Sequence, residues 1–211
     1  MRITTIFFDL DDTLYPSSVG LWSAIKKRMN DYIRDHLSIP EDEIPQLRER
    51  YFLRYGTTLR GLQVHHQVDT QDFLAYVHDL PLKDFLTADP LQRSVIGSLT
   101  TRNLIFTNAD IPHARRVLTA LELNDLFPVI VDVNALAPYC KPMPESFNIA
   151  MQIAGETDAS CCVMIDDLVR TTRAARHVGM SSVLFGSASV NGDADAGFMD
   201  WADLPDILEK L

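Results

Sequence analysis

Ile3-Thr4-Thr5-Ile6-Phe7-Phe8-Asp9-Leu10-Asp11-Asp12-Thr13-Leu14-Tyr15-Pro16 is the stretch on which the reading of this chain turns. Ile3 to Phe8 runs apolar after Thr5 without alternation, which predicts a strand buried on both faces. The run stops abruptly at Asp9, Asp11 and Asp12. A doubly buried strand belongs to a parallel sheet, and such sheets bind ligands beyond the carboxyl ends of their strands. The acidic cluster therefore stands where chemistry is expected.

Immediately downstream the pattern becomes helical. Leu21, Ile25, Met29, Tyr32, Ile33 and Leu37 recur at three and four residues with charges between them. Further helices are predicted over Glu41 to Tyr55, Thr57 to His66 and Thr70 to His78, with Gly56 and Asp69 as caps. From Pro90 onward strands and helices alternate. Strands are predicted at Asn103 to Phe106, Val129 to Val131, Cys161 to Ile165 and Ser182 to Phe185. Helices are predicted at Pro112 to Leu121, Pro144 to Ala154, from the Asp166-Asp167 turn to about His177, and Asp203 to Leu211. This grammar predicts an α/β fold: a doubly wound parallel sheet, Rossmann-like, with a helical cap inserted after the first strand. The predicted division is residues 1–16 and 86–211 for the core and 17–85 for the cap.

Composition narrows the function. The chain has 211 residues and a formal net charge of −10, which argues against binding a nucleic-acid polymer through a basic surface. The cap stretch is close to neutral, and much of the acidic excess lies between Asp193 and Glu209, where it reads as solvated surface. Cys140, Cys161 and Cys162 form neither a disulfide framework nor a spaced metal motif. No segment approaches a signal peptide or a membrane span, so a soluble cytoplasmic protein without a membrane partner is expected.

Three predicted strands end in polar residues of one chemical kind. The first ends at Asp9, Asp11 and Asp12, the next at Thr107-Asn108, and the strand from Cys161 at Asp166-Asp167; Lys141 lies on a loop before Pro142. Singly, each has a plain structural reading, as a turn, a helix cap or a surface lysine. Together they form an ordered set at one sheet edge. Clustered carboxylates need a cation or a shared proton to coexist. Hard oxygen donors suit Mg²⁺, which commonly meets a phosphate. Thr107 and Asn108 can donate to phosphoryl oxygens, Lys141 can neutralise their charge, and an Asp can act as covalent nucleophile.

On these motifs, Phe7 through Tyr15, Thr107-Asn108, Lys141 and Asp166-Asp167, the chain resembles the haloacid dehalogenase-like hydrolases over roughly residues 1–16 and 90–190. The resemblance implies that Asp9 attacks phosphorus and forms an aspartyl-phosphate. It implies that Asp11 protonates the leaving group and then activates water. It implies Mg²⁺ held by Asp9, the backbone carbonyl of Asp11 and Asp166, with Asp167 and Thr171 supporting those ligands from behind. Asp11 disfavours a dehalogenase, since those enzymes lack an acid/base Asp there. Leu14-Tyr15-Pro16, Tyr55-Gly56, Leu59-Arg60-Gly61-Leu62 and Val77-His78-Asp79 are similar to the pyrimidine 5′-nucleotidase branch, which implies UMP or CMP as substrate. That branch more usually has Asn where this chain has Thr171.

The cap is expected to close over the site and supply specificity, with Tyr15, Arg60, His65 and His66 as candidates and Arg60 the best cation for an anionic ligand. His65-His66, lacking a third ligand at suitable spacing, also reads as helix surface. The alternatives are a phosphatase for another small metabolite such as phosphoglycolate or a sugar phosphate, and a phosphomutase. Outside enzymes they are a phosphoacceptor switch and a ligand-binding protein.

Overall fold

The computed structural model describes residues 3–211. It divides into two compact units, one formed by the chain up to Ser17 together with Leu86–Leu211, the other by Ser18–Phe85.

The first unit is a six-stranded parallel sheet. Its strands are β1 (Thr5–Phe8), β2 (Arg102–Phe106), β3 (Val129–Val131), β4 (Cys162–Asp166), β5 (Ser181–Phe185) and β6 (Ala196–Phe198). They lie in the order β3-β2-β1-β4-β5-β6. The chain winds outward from β1 through β2 to β3, then returns to the other side of β1. The switch point therefore falls between β1 and β4, where open α/β sheets form their ligand crevice. Phe8 is in register with Ile165, and the Asp9 amide donates to the Ile165 carbonyl at 2.9 Å, so Asp9 and Asp166 leave the sheet side by side.

Alternation along β1 places its aromatic rings on opposite faces. Phe7 meets Phe106 edge-on at 6.0 Å, and Phe106 meets Phe147 at 5.2 Å. Phe8 packs against Phe127 at 5.3 Å and stacks on Trp201 at 6.5 Å. All four residues of β1 are buried, as the continuous apolar run predicts.

The second unit contains four helices, α1 (Leu21–Leu37), α2 (Ile44–Tyr55), α3 (Thr58–His66) and α4 (Thr70–His78). Tyr32 on α1 donates to Asp72 on α4 at 2.7 Å, and the Arg28 guanidinium lies 4.1 Å from the Tyr76 ring centre. Gly61 lets α3 press against α2, because a Cβ there would stand 2.2 Å from Cγ of Tyr51. The remaining helices belong to the first unit: α5 (Pro90–Ser98), α6 (Ile111–Ala120), α7 (Pro144–Ala154), α8 (Val169–His177) and α9 (Leu204–Leu208).

Several boundaries differ from expectation. The first strand begins at Thr5 rather than Ile3. The second cap helix begins at Ile44, since the Glu43 amide closes a turn onto the Pro40 carbonyl and Pro45 occupies the first helical turn. The expected helix over 203–211 is a 3₁₀ turn at Trp201–Asp203 followed by the short α9. Its turn is set by Asp200, whose carboxylate accepts from the Ala202 amide at 2.9 Å. Helix α5 and edge strand β6 were not anticipated. Among the described residues no helix is long and apolar enough to cross a membrane.

Gly61→Ala gains helix propensity but forces overlap with Tyr51. It is expected to lower stability in urea by about 1–3 kcal/mol, the usual penalty of overpacking. Unchanged or higher stability would mean the α2–α3 contact is not tight.

Candidate active site

The site grows from the turn after β1. The Leu14 amide donates to the Leu10 carbonyl at 3.0 Å, and Asp12 adopts the left-handed conformation at φ 59°, which Asp tolerates better than most residues. Leu10 and Leu14 are buried and anchor this turn. The turn brings Thr13 back over Asp9, its hydroxyl 3.4 Å from Asp9 Oδ2 and 3.3 Å from Asp167 Oδ1. The same hydroxyl accepts from the Asp167 amide at 3.1 Å, tying the β1 loop to the β4 loop.

Lys141 is the centre of charge. Its Nζ donates to Asp9 Oδ1 at 2.6 Å and to Asp166 Oδ2 at 2.7 Å. Both carboxylates and the ammonium are buried. Asn108 holds this lysine by its backbone. Asn108 Oδ1 accepts from the Lys141 amide at 2.9 Å, and Asn108 Nδ2 donates to the Lys141 carbonyl at 3.0 Å. The Asn108 side chain, expected to face phosphate, thus clamps the lysine loop to the end of β2. Thr107 is buried beside it, its hydroxyl accepting from the Ala109 amide at 3.0 Å.

The electrostatics call for more positive charge. One oxygen from each of Asp9, Asp166 and Asp167 lies within 4.8 Å of the others. Burial pushes the Asp9 carboxyl well above its ordinary range; Lys141 opposes this, while Asp166 and Asp167 add to it. Burial works against the Lys141 ammonium, but Asp166 and Asp9 outweigh it and raise its pKa. Burial, followed by Asp166, pushes the Asp167 carboxyl up to about 7. Were all three carboxylates ionised around one ammonium, two negative charges would be uncompensated, the complement of one divalent cation. The donors are hard oxygens, so the cluster fits a cation of the Mg²⁺ class.

The Asp11 side chain takes another direction. Its Oδ1 accepts from the Tyr15 hydroxyl at 2.5 Å and lies 2.9 Å from His113 Nε2. Tyr15 was expected against substrate, yet its hydroxyl is engaged by Asp11 and its side chain is buried. Burial, reinforced by Asp11, pushes the Tyr15 phenol far up, so it remains an O–H donor. Thr171 is buried in the first turn of α8, its amide donating to the Leu168 carbonyl at 2.8 Å. Arg60 belongs to α3 of the helical unit and donates from Nη1 to Gln63 at 2.9 Å. His65 and His66 pair with Tyr55 and Tyr51 at 2.7 and 3.0 Å, the arrangement of a helix-surface aromatic cluster.

Thr13 and His113 were not singled out beforehand. Thr13 stood within the first motif, four residues from Asp9. The one available signal for His113 was its place in the first turn of a helix opening just after Thr107-Asn108.

A protein-family model described as haloacid dehalogenase-like hydrolase matches residues 3–179. Phosphate metabolism protein 8 of Saccharomyces cerevisiae is 30% identical over 192 residues, 84% of this chain and 60% of that protein. The chain thus spans less than two thirds of that relative. Glyceraldehyde 3-phosphate phosphatase of Pyrococcus furiosus is 25% identical over 228 residues, covering 100% of this chain and 93% of that protein. Among solved structures, a haloacid dehalogenase-like protein of unknown function from Agrobacterium tumefaciens superposes with a TM-score of 0.65 at 19% identity, covering 99% of this chain and 98% of that one. That likeness establishes the fold.

The raised Asp167 carboxyl has a consequence for stability. A carboxyl whose pKa is higher folded than unfolded contributes stability that is present below about 4 and lost as pH rises through about 7. With EDTA present, wild-type stability in urea is expected to fall between pH 5 and pH 8. In Asp167→Asn the fall is expected to be smaller. An equal fall in both proteins would remove Asp167 as its source.

Proposed function

The chain belongs to the haloacid dehalogenase-like hydrolase family, and on that premise we propose that it hydrolyses nucleoside 5′-monophosphates, UMP and CMP foremost, through a phospho-Asp9 intermediate. It is a phosphoric monoester hydrolase. The observation that carries the mechanism is the Asp9–Lys141–Asp166 contact at 2.6 and 2.7 Å, with Asp11 turned aside onto separate partners. One carboxylate is held for attack and the other for proton transfer.

Asp9 attacks phosphorus in line with the ester oxygen, whose bond to phosphorus breaks as Asp11 delivers a proton to it. Asp11, now ionised, takes a proton from the water that attacks phospho-Asp9, and the acyl phosphate bond breaks to free phosphate and Asp9. Lys141 stays against Asp9 and Asp166 and offsets charge on the phosphoryl oxygens. Thr107 donates its hydroxyl to one of those oxygens. Asn108 acts by holding the Lys141 backbone. Asp9, the Asp11 carbonyl and Asp166 would hold Mg²⁺, backed by Asp167 and Thr171. The cation supplies the positive charge that lets Asp9 ionise beside a phosphate dianion.

Substrate choice rests on likeness. Tyr55-Gly56 and Leu59-Arg60-Gly61-Leu62 support a pyrimidine nucleotide, with Arg60 as the candidate recognition cation. The full-length match to a glyceraldehyde 3-phosphate phosphatase supports a smaller phosphorylated metabolite as the second reading.

Phosphate release from UMP, CMP, AMP, phosphoglycolate and sugar phosphates, with and without Mg²⁺, separates these readings. Preference for UMP and CMP is expected, and preference for a short-chain phosphate would replace the substrate while keeping the chemistry. Asp9→Asn is expected to abolish turnover while preserving the circular dichroism spectrum; substantial activity, free of wild-type contamination and amide hydrolysis, would refute the nucleophile assignment. Mg²⁺ at pH 8 is expected to raise the melting temperature of the wild type and to raise that of Asp166→Asn far less. Equal shifts would place the cation elsewhere.

A further inference from the structure

Asp11 Oδ1 receives two partners from different parts of the fold, and the mechanism above uses neither of them. Tyr15 reaches it from the same β1 loop at 2.5 Å. His113 reaches it from α6 at 2.9 Å, with its own side chain fully enclosed. The position of His113 is itself determined. Asp110 caps α6 and accepts from the His113 amide at 3.2 Å. Asp132, at the end of β3, accepts from the Ile111 amide at 3.3 Å and so ties the start of that helix to the sheet.

We propose that His113 and Tyr15 are positioning residues for proton transfer, holding Asp11 by Oδ1 so that Oδ2 carries the mobile proton. The inference rests on the hydrolase reading of Asp11. An Asp side chain turns about two bonds, and one donor leaves it several orientations. Two hydrogen-bonding partners on one oxygen, fixed by separate elements, select one. The Tyr15 hydroxyl directs its hydrogen at Oδ1 and, in the tautomer with the proton on Nε2 that the proposal takes, so does His113, which leaves Oδ2 as the proton's site. During attack the P–O bond breaks toward the leaving oxygen, which takes the proton from Oδ2. The carboxylate left behind keeps both hydrogen bonds, and these stabilise its new charge. During hydrolysis of phospho-Asp9 the same Oδ2 takes the proton of the attacking water. Neither His113 nor Tyr15 needs to touch substrate or change its own protonation.

The test exploits the leaving group. A nitrophenolate departs without a proton, whereas an alkoxide does not. The kcat/KM value reports the step that forms phospho-Asp9, so it isolates this difference from the later hydrolysis. The two probes are 4-nitrophenyl phosphate and the best alkyl ester among UMP, CMP and phosphoglycolate, both at saturating Mg²⁺. In His113→Leu, kcat/KM for the alkyl ester is expected to fall about 30-fold, less than the roughly 10²–10⁴ that loss of the general acid itself would cost, against less than about threefold for the nitrophenyl ester. His113→Gln, whose amide can donate from a similar point, is expected to restore the alkyl ester to within about threefold of wild type. Tyr15→Phe is expected to show the same selective loss, and it decides the matter if His113→Leu fails to fold. Equal losses on both esters would overturn the proposal in favour of a structural role, as would no loss on either. A wild type that hydrolyses neither ester would sink the hydrolase reading first, and this inference with it.

Discussion

Like charges held close together in a dry place are the constraint on which this molecule depends. Asp9, Asp166 and Asp167 converge at the sheet edge, and Lys141 stands between the first two at 2.6 and 2.7 Å. Removing such groups from water is unfavourable unless counter-charge and hydrogen bonds replace it. Much of the surrounding architecture supplies that replacement. The sheet order sets Asp9 beside Asp166, the Asn108 side chain grips the lysine backbone on both sides, and the Thr13 hydroxyl bridges the two acidic loops. Three carboxylates around one ammonium leave room for further positive charge, which is what the proposed reading assigns to a cation.

A division of labour among the carboxylates follows. Asp9 and Asp11 are two residues apart in the chain yet occupy unlike surroundings. Asp9 shares an ammonium with Asp166, while Asp11 meets a phenol and an imidazole. The left-handed turn at Asp12 separates the two sets of neighbours within one short loop. On the proposed mechanism, environments that differ in this way let one loop carry a nucleophile and an acid/base of the same residue type.

The sheet was legible in the chain because its signals are local and redundant. The uninterrupted Ile6-Phe7-Phe8 run could only be a strand covered on both faces, and Asp69 and Asp110 each preceded a periodic segment as caps. Edge strand β6 escaped because Ala196-Gly197-Phe198 is short and sits among Asp and Gly residues that read as turn. Its glycine is needed where the chain folds closely on itself, since a Cβ there would stand 2.2 Å from the Ser187 carbonyl. Helix α5 does carry a signal, Asp89 capping a first turn that holds Pro90. Asp9, Asp166 and Asp167 converge in space as their strand-end positions implied, and Lys141 reaches two of them from its loop. The His113 partner of Asp11 was hidden because it lies 102 residues away in the chain. The amide clamp of Asn108 was hidden for a similar reason: it acts on a backbone, which leaves no mark on composition.

The central place of β1 also bears on how the chain is made. This strand precedes both of its neighbours in the chain, for Thr5 pairs with Arg102 on one side and Cys162 on the other. Between them comes the contiguous helical unit, Ser18–Phe85, whose contacts are nearer in sequence. Contacts between distant residues form slowly, because the intervening chain must first be brought together. An apolar strand ending in carboxylates therefore meets β2 first and stays open on its other side until β4 follows. The carboxylates that close β1 thus precede both neighbouring strands, and the candidate site is assembled only when β4 flanks them.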